Sequence, residues 1–207
     1  MSKLNQFDRI AGVYDWIAAL AFWGAIKRSQ LQFLHNVPNQ AFVLIIGGGS
    51  GWIINELKKV SPHARIYYVE ASENMISRAR KKCLHNNVEF IHGTENDIPS
   101  GVTFDVVITN FFLDLFQTTD LTKVVARISR SLKPDGRWLV TEFTCNSKWQ
   151  QLYLSLMYFF FKLTCGLRTV ELPKWKDVLD KAGFLQTKEK NYFNRFIESV
   201  VFVRTSG

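Results

Sequence analysis

The residues with the clearest chemical potential form one short run, Gly47-Gly48-Gly49-Ser50-Gly51, which follows the apolar stretch Phe42-Val43-Leu44-Ile45-Ile46 and leads into Trp52 and a helical pattern. Glycines at such a point let the backbone turn sharply and let a ligand approach bare amides. N–H groups at a helix start can then hold a carboxylate or phosphate. Nineteen residues after Gly51, the next apolar run ends at Glu70, where a carboxylate can accept hydrogen bonds from a ribose diol. Strand, glycine loop, helix, strand and terminal acid in this order select an adenosine-type cofactor. A nicotinamide fingerprint, GxGxxG, would need its third glycine at position 52, which is Trp52, whereas GxGxG is satisfied by Gly47, Gly49 and Gly51. This disfavours a nicotinamide oxidoreductase. No Gly-Lys-Ser/Thr follows, which excludes a P-loop.

Other reactive side chains are sparse. Asp114, in Asn110-Phe111-Phe112-Leu113-Asp114 after the fourth apolar run, is the best-placed carboxylate for a catalytic base; its alternative is a helix-start or surface acid. Glu142, at the end of the fifth run, either faces a substrate or pairs with one of the many basic residues. His35, His63, His85 and His92 lack metal-ligand spacing, and Cys83, Cys145 and Cys165 form neither a CxxC nor an even set. No metal site and no disulfide scaffold is expected, and a reducing, cytoplasmic setting fits.

The elements that must position these groups alternate. Apolar runs at Ala41–Ile46, Arg65–Val69, Val88–Ile91, Phe104–Thr109 and Arg137–Phe143 read as buried strands. After Asp120, apolar residues at Leu121, Val124, Val125, Ile128 and Leu132 mark one helix face, which Lys133-Pro134-Asp135-Gly136 stops. Strands alternating with helices demand parallel pairing through right-handed crossovers, hence an open sheet with helices on both faces and ligands beyond the carboxyl ends of the strands. The end of the chain differs. Lys174–Lys181 reads as a helix stopped by Gly183, and Phe184–Tyr192 and Phe196–Arg204 flank a short turn, giving a closing antiparallel hairpin.

With 207 residues, 47% of them hydrophobic, the chain suits a single domain, 1–207, with elaborated ends: an N-terminal helical cap over 1–36 and an apolar helical insertion over 147–170. The runs Trp16–Ile26 and Leu152–Leu163 fall short of the ~20 residues a membrane-spanning helix needs, and no signal peptide is read. A formal charge of +8 favours anionic surfaces, although Arg78, Arg80, Lys81 and Lys82 read first as a solvated helix face. Nucleic-acid modules have no signature here, so no stable nucleic-acid binding is expected.

Taken together, these motifs resemble the class I S-adenosylmethionine-dependent methyltransferases from about Phe7 to Arg204. Beyond the glycine loop, Glu70-Ala71-Ser72 is similar to the family's second motif, and Phe90-Ile91-His92-Gly93-Thr94-Glu95-Asn96-Asp97-Ile98-Pro99 to its adenine-side loop. The segment Phe104–Asn110 resembles the fourth motif, and Leu132–Gly136 the turn before the fifth strand. The resemblance implies a Rossmann-like, doubly wound α/β fold with a seven-stranded, mostly parallel sheet, the last strand antiparallel. It implies S-adenosyl-L-methionine as cofactor, with S-adenosyl-L-homocysteine as product, held by Tyr14, Gly47, Gly49, Ser50, Gly51, Glu70, Ala71, Glu95, Asn96 and Asn110.

Two positions depart from the family pattern. Ile45 stands where an acid usually helps fix the glycine loop, and Thr94 where an aspartate usually accepts from the adenine amino group, a task left to Glu95 or Asn96. The opening Phe7-Asp8-Arg9-Ile10-Ala11-Gly12-Val13-Tyr14-Asp15 looks most like the quinone-pathway and other small-molecule methyltransferases, in which Phe and Tyr of an N-terminal helix close over the cofactor. Alternatively Phe7 and Tyr14, seven apart, form a packed apolar stripe. The insertion around Trp149–Leu167 is far more apolar than a surface helix. It suits core packing, the wall of a pocket for a small hydrophobic acceptor, or, with the basic surface, transient contact with an anionic membrane. The rival functions are a tRNA or protein methyltransferase, suggested by charge alone, and a non-catalytic binder of the adenosyl compounds, suggested by Ile45 and Thr94.

Overall fold

The computed structural model describes residues 24–152, 154–155 and 172–205. Its elements are α1 (Ala25–Leu31), β1 (Phe42–Ile46), α2 (Trp52–Val60), β2 (Arg65–Glu70), α3 (Glu73–Lys82), β3 (Val88–His92), β4 (Phe104–Asn110), α4 (Thr118–Ser131), β5 (Leu132–Phe143), α5 (Trp175–Lys181), β6 (Phe184–Tyr192) and β7 (Ile197–Arg204). The seven strands form one sheet in the order β3-β2-β1-β4-β5-β7-β6. The pairs among β1 to β5 are parallel, and β7 runs antiparallel between β5 and β6. The expected doubly wound α/β sheet with its closing hairpin is therefore present. The strand order reverses between β1 and β4, so the crevice at their carboxyl ends is the place for a ligand.

Strand alternation divides the core in two. Leu44, Ile46, Val107, Trp138 and Val140 face one side, where Leu121, Val124, Val125 and Ile128 of α4 and Trp175, Val178 and Leu179 of α5 cover them. Val43, Ile45, Ile66, Tyr68, Val106 and Ile108 face the other, under Ile53, Ile54 and Leu57 of α2. β1 is buried on both faces, which explains its unbroken apolar run. A smaller cluster of Ala25, Phe111, Phe143, Leu154, Phe196 and Ile197 caps the carboxyl ends of β4 and β5.

Most strand and helix boundaries lie within a residue or two of the sequence reading. The fifth strand differs: β5 starts at Leu132 rather than Arg137. Leu132 pairs with Phe104 and Arg137 with Val106, so Lys133–Gly136 bulges out between two paired flanks. The bulge is pinned where Lys133 Nζ meets Asp105 Oδ1 at 2.6 Å, while Asp105 Oδ2 accepts from the Phe42 amide at 2.7 Å. The expected helical cap over 1–36 and the insertion over 147–170 lie largely outside the described residues. Among those described, no helix is long and apolar enough to cross a membrane. Arg78, Arg80, Lys81 and Lys82 are exposed on α3, as a solvated face requires.

Candidate functional site

The glycine loop joins the carboxyl end of β1 to α2 with Gly47, Gly49 and Gly51 at φ of 66°, 64° and 78°. These are left-handed values that side chains rarely adopt. A Cβ on Gly51 would lie 2.5 Å from Cβ of Ala79, so close packing on α3 also requires glycine there. Gly49 differs: a Cβ there would meet nothing within 4 Å. The loop is thus open above Gly49, and α2 begins at Gly51 with no side-chain cap on its first amides.

Two side chains of β2 hold this loop. Glu70, 8% exposed, accepts from the Gly49 amide through Oε2 and from the Ser72 amide through Oε1, both at 2.9 Å. The carboxylate, with about four acceptor sites, keeps capacity for a ligand hydroxyl. Burial pushes the Glu70 carboxyl above its ordinary range, opposed by the amides of Ser72, Gly49 and Ala71 and by the nearby His92. Tyr68, fully buried, donates its hydroxyl to the Gly49 carbonyl at 2.7 Å. Ile45 and Tyr68 are direct neighbours in the β1–β2 register, so the tyrosine braces the loop beside the position where the family usually carries an acid. Strand alternation explains why two groups of one strand reach the same loop: Tyr68 and Glu70 are two apart and share a face.

At the carboxyl end of β3, His92 pairs in register with Glu70. Its Nδ1 lies 2.9 Å from Glu73 Oε2 and its Nε2 lies 3.1 Å from the Ala71 carbonyl, which fixes the Glu70-Ala71-Ser72 corner. Thr94, where the family has an aspartate, caps a short 3₁₀ turn over Glu95–Asp97. Its hydroxyl accepts from the Asn96 amide at 3.3 Å while Asp97 Oδ2 accepts from the Thr94 amide at 2.8 Å. Asn96 Nδ2 donates to Glu95 Oε1 at 3.1 Å, so the two predicted binding residues are turned toward each other.

At the carboxyl end of β4 the chain turns sharply after Asn110. Phe111 adopts a φ of 51°, and its amide donates to the Thr141 carbonyl at 2.7 Å. The turn sends Phe112 back against the glycine loop: a Cβ on Gly47 would lie 2.7 Å from its Cδ2. It also carries Asp114 inward, to 3% exposure, beside the fully buried Glu142 of β5. Glu142 Oε1 accepts from the amides of Phe112 and Leu113 at 2.9 and 2.7 Å. Burial raises the Asp114 carboxyl to about 7, with hydrogen bonding to Glu142 and to its own amide acting against that rise. Burial, and then the charge of Asp114, push Glu142 well above the ordinary range. Neither is a surface acid, and Glu142 makes no ion pair among the described residues.

The structure thus places Gly47, Gly49, Ser50, Gly51, Glu70 and Ala71 at the carboxyl ends of β1 and β2, with Glu95 and Asn96 on the turn after β3 and Asn110 at the end of β4. Tyr14 lies outside the described residues. Sequence reasoning missed Tyr68, His92 and Phe112 as parts of the site; the position of Tyr68 two residues before Glu70 was the available signal. Among the described residues no three His, Cys, Asp or Glu side chains converge as a metal site would need.

Known proteins share this fold. Residues 43–136 match the methyltransferase domain family. The chain is 37% identical over 107 residues to a malonyl-(acyl-carrier protein) O-methyltransferase of Halalkalibacterium halodurans, covering 49% of this chain and 38% of that protein. Over 223 residues it is 28% identical to the ubiquinone/menaquinone biosynthesis C-methyltransferase UbiE of Saccharophagus degradans, covering 90% of this chain and 88% of that one. Among solved structures, 1,6-didemethyltoxoflavin-N1-methyltransferase of Burkholderia thailandensis superposes with a TM-score of 0.70 at 17% identity, covering 98% and 88% of the two chains. The chain spans well under half of the first relative's length and most of the second's. The matched segment contains the glycine loop, Glu70 and Asp114, and the seven-stranded sheet around it, with its antiparallel closing strands, is the Rossmann-like fold that these methyltransferase structures share.

Proposed function

We propose that this protein transfers the methyl group of S-adenosylmethionine to a small, hydrophobic acceptor of the quinol, phenol or lipid-like kind. The observation that carries the reading is the glycine loop itself. It is open above Gly49, tied to Glu70 at 2.9 Å, and braced from below by the Tyr68 hydroxyl at 2.7 Å. These residues fit the cofactor: Gly47 to Gly51 give close backbone approach, Glu70 offers free lone pairs to a ribose diol, and Ala71 with the Thr94–Asp97 turn borders the adenine side. When bound, the cofactor supplies a sulfonium-activated methyl group, which needs chiefly an acceptor aligned with it where water is excluded. The chain's own part is to orient and to dry the site. Phe111, Phe143, Phe196 and Ile197, each less than a tenth exposed, supply an apolar surround at the ends of β4 and β5 that supports an apolar acceptor.

The test is incubation with S-adenosylmethionine and a panel of quinols, phenols and fatty acids, with S-adenosylhomocysteine and methylated product read by mass spectrometry. Product from one apolar class supports the reading. Tight binding of the adenosyl compounds with no turnover across the panel would replace it by a non-catalytic binder. The charge of +8 supports transient contact with anionic membranes as the route to such acceptors. Failure to co-sediment with phosphatidylglycerol vesicles would remove that part.

A further inference from the structure

Glu142 near the carboxyl end of β5 and Asp114, four residues past the end of the adjacent parallel strand β4, lie within hydrogen-bonding reach of each other. Each keeps one buried oxygen without a hydrogen-bond partner, Oδ1 of Asp114 and Oε2 of Glu142. Glu142 Oε1 is committed to the amides of Phe112 and Leu113. Among the described residues no lysine, arginine or histidine pairs with either carboxyl.

Two carboxyl groups this close and this dry do not both ionise. One proton held between them leaves a single negative charge that no cation among the described residues balances. Such a pair costs stability where apolar side chains would not, so its place in the fold calls for a chemical role. Its location supplies one: Phe112, whose amide Glu142 holds, presses its ring on Gly47 of the cofactor loop. The aromatic cluster of Phe111, Phe143 and Phe196 excludes water nearby.

We propose that Asp114 and Glu142 work as a one-proton carboxyl pair that takes up the proton released when an acceptor's O–H or N–H group is methylated, so that the substrates are phenol-, enol- or amine-type molecules. This rests on the methyltransferase reading above. In the step, the acceptor oxygen or nitrogen forms a bond to the methyl carbon and the sulfur–carbon bond of the sulfonium donor breaks, its electron pair passing to sulfur. The acceptor's proton moves to Asp114, and the electrons of the O–H or N–H bond stay on the acceptor atom. Glu142 is the positioning residue: it holds the Asp114 turn by two amides and the pair by the retained proton. An Asp114 carboxyl near 7 is partly ionised at neutral pH, where a general base is most effective.

Infrared titration of the whole chain in heavy water tests the pair without any acceptor. A protonated-carboxyl band should persist at about pH 8, far above the ordinary carboxylate range, and vanish in Glu142→Gln. Methylation of phenol, naphthol and hydroquinone probes in single turnover tests the role. The wild-type rate should rise with pH toward a plateau above about 7, and Asp114→Asn should lower it by about 10²- to 10⁴-fold and flatten the profile. Calorimetry with S-adenosylhomocysteine on the same samples should give affinities for wild type and Asp114→Asn that agree within a few-fold. A wild type that binds no S-adenosylhomocysteine overturns the methyltransferase reading and the proton-transfer role with it. A wild type that binds it overturns the pair alone if the acid band is absent, if none of the probes is methylated, or if Asp114→Asn keeps the wild-type rate and profile.

Discussion

Gly48→Ala is the sharpest probe of how the glycine loop is built. Gly48 is not among the positive-φ glycines, so alanine meets no backbone penalty and the whole effect is spatial. Its Cβ would lie 2.4 Å from Cε2, 2.5 Å from Oη and 2.6 Å from Cζ of Tyr68, about 1 Å inside ordinary contact. Tyr68 has nowhere to go: it is fully buried and packs on Phe90 with ring centroids 5.4 Å apart. Overpacking of this kind costs about 1–3 kcal/mol, and a displaced hydroxyl loses its bond to the Gly49 carbonyl, about 1 kcal/mol more. Urea denaturation should therefore show Gly48→Ala less stable by about 2–4 kcal/mol. In a Tyr68→Ala background the methyl group enters vacated space, and the same substitution should cost under about 1 kcal/mol. Equal costs in the two backgrounds would refute the reasoning, because the clash and the brace would then not be the cause.

The buried acid makes stability depend on pH. Asp114 moves from an ordinary 3.8 to about 7 on folding, so the folded chain binds more protons than the unfolded one between those values and stability falls as pH rises through them. Asp114→Asn should therefore make the decline shallower and exceed wild type in stability at about pH 8 in urea titrations; a parallel pair of curves would contradict this. Inside the sheet, Trp138 Nε1 donates to Thr109 Oγ1 at 2.9 Å, both residues fully buried. Thr109→Val keeps the shape but strands that N–H, and thermal or urea unfolding should register a loss of about 1–3 kcal/mol.

Much of this architecture is legible in the amino-acid order because parallel strands buried on both faces write themselves as unbroken apolar runs, as Phe42–Ile46 does. The helix over Thr118–Ser131 is equally plain, since its buried face is the set Leu121, Val124, Val125 and Ile128 that periodicity picks out. The glycine loop and its neighbour Glu70 could be read as a unit because the turn after β1 needs glycines, at a spacing, within one strand–helix–strand unit. Pairing across strands could not. The bracing of Gly49 by Tyr68 depends on the register that sets Ile45 beside Tyr68, and a one-residue slip would turn the tyrosine away. The meeting of Asp114 with Glu142 depends on β4 lying next to β5 and on the turn at Phe111, neither of which leaves a local signal. Lys133-Pro134-Asp135-Gly136 was readable as a helix stop, but its role as a bulge needs the partner residue Asp105. Glu95 and Asn96 read as cofactor ligands by position, and their mutual hydrogen bond is set by a local turn that the sequence does not spell out.

The most direct test of the cofactor site is calorimetric titration of the purified chain with S-adenosylhomocysteine, set beside Glu70→Ala. A single site is expected in the wild type and a loss of affinity of tenfold or more, about 1.4 kcal/mol or greater, in the variant, because the proposed ribose acceptor and the anchor of the Gly49 amide go together. An unchanged affinity in a folded Glu70→Ala protein, or no binding to a folded wild type, would contradict it.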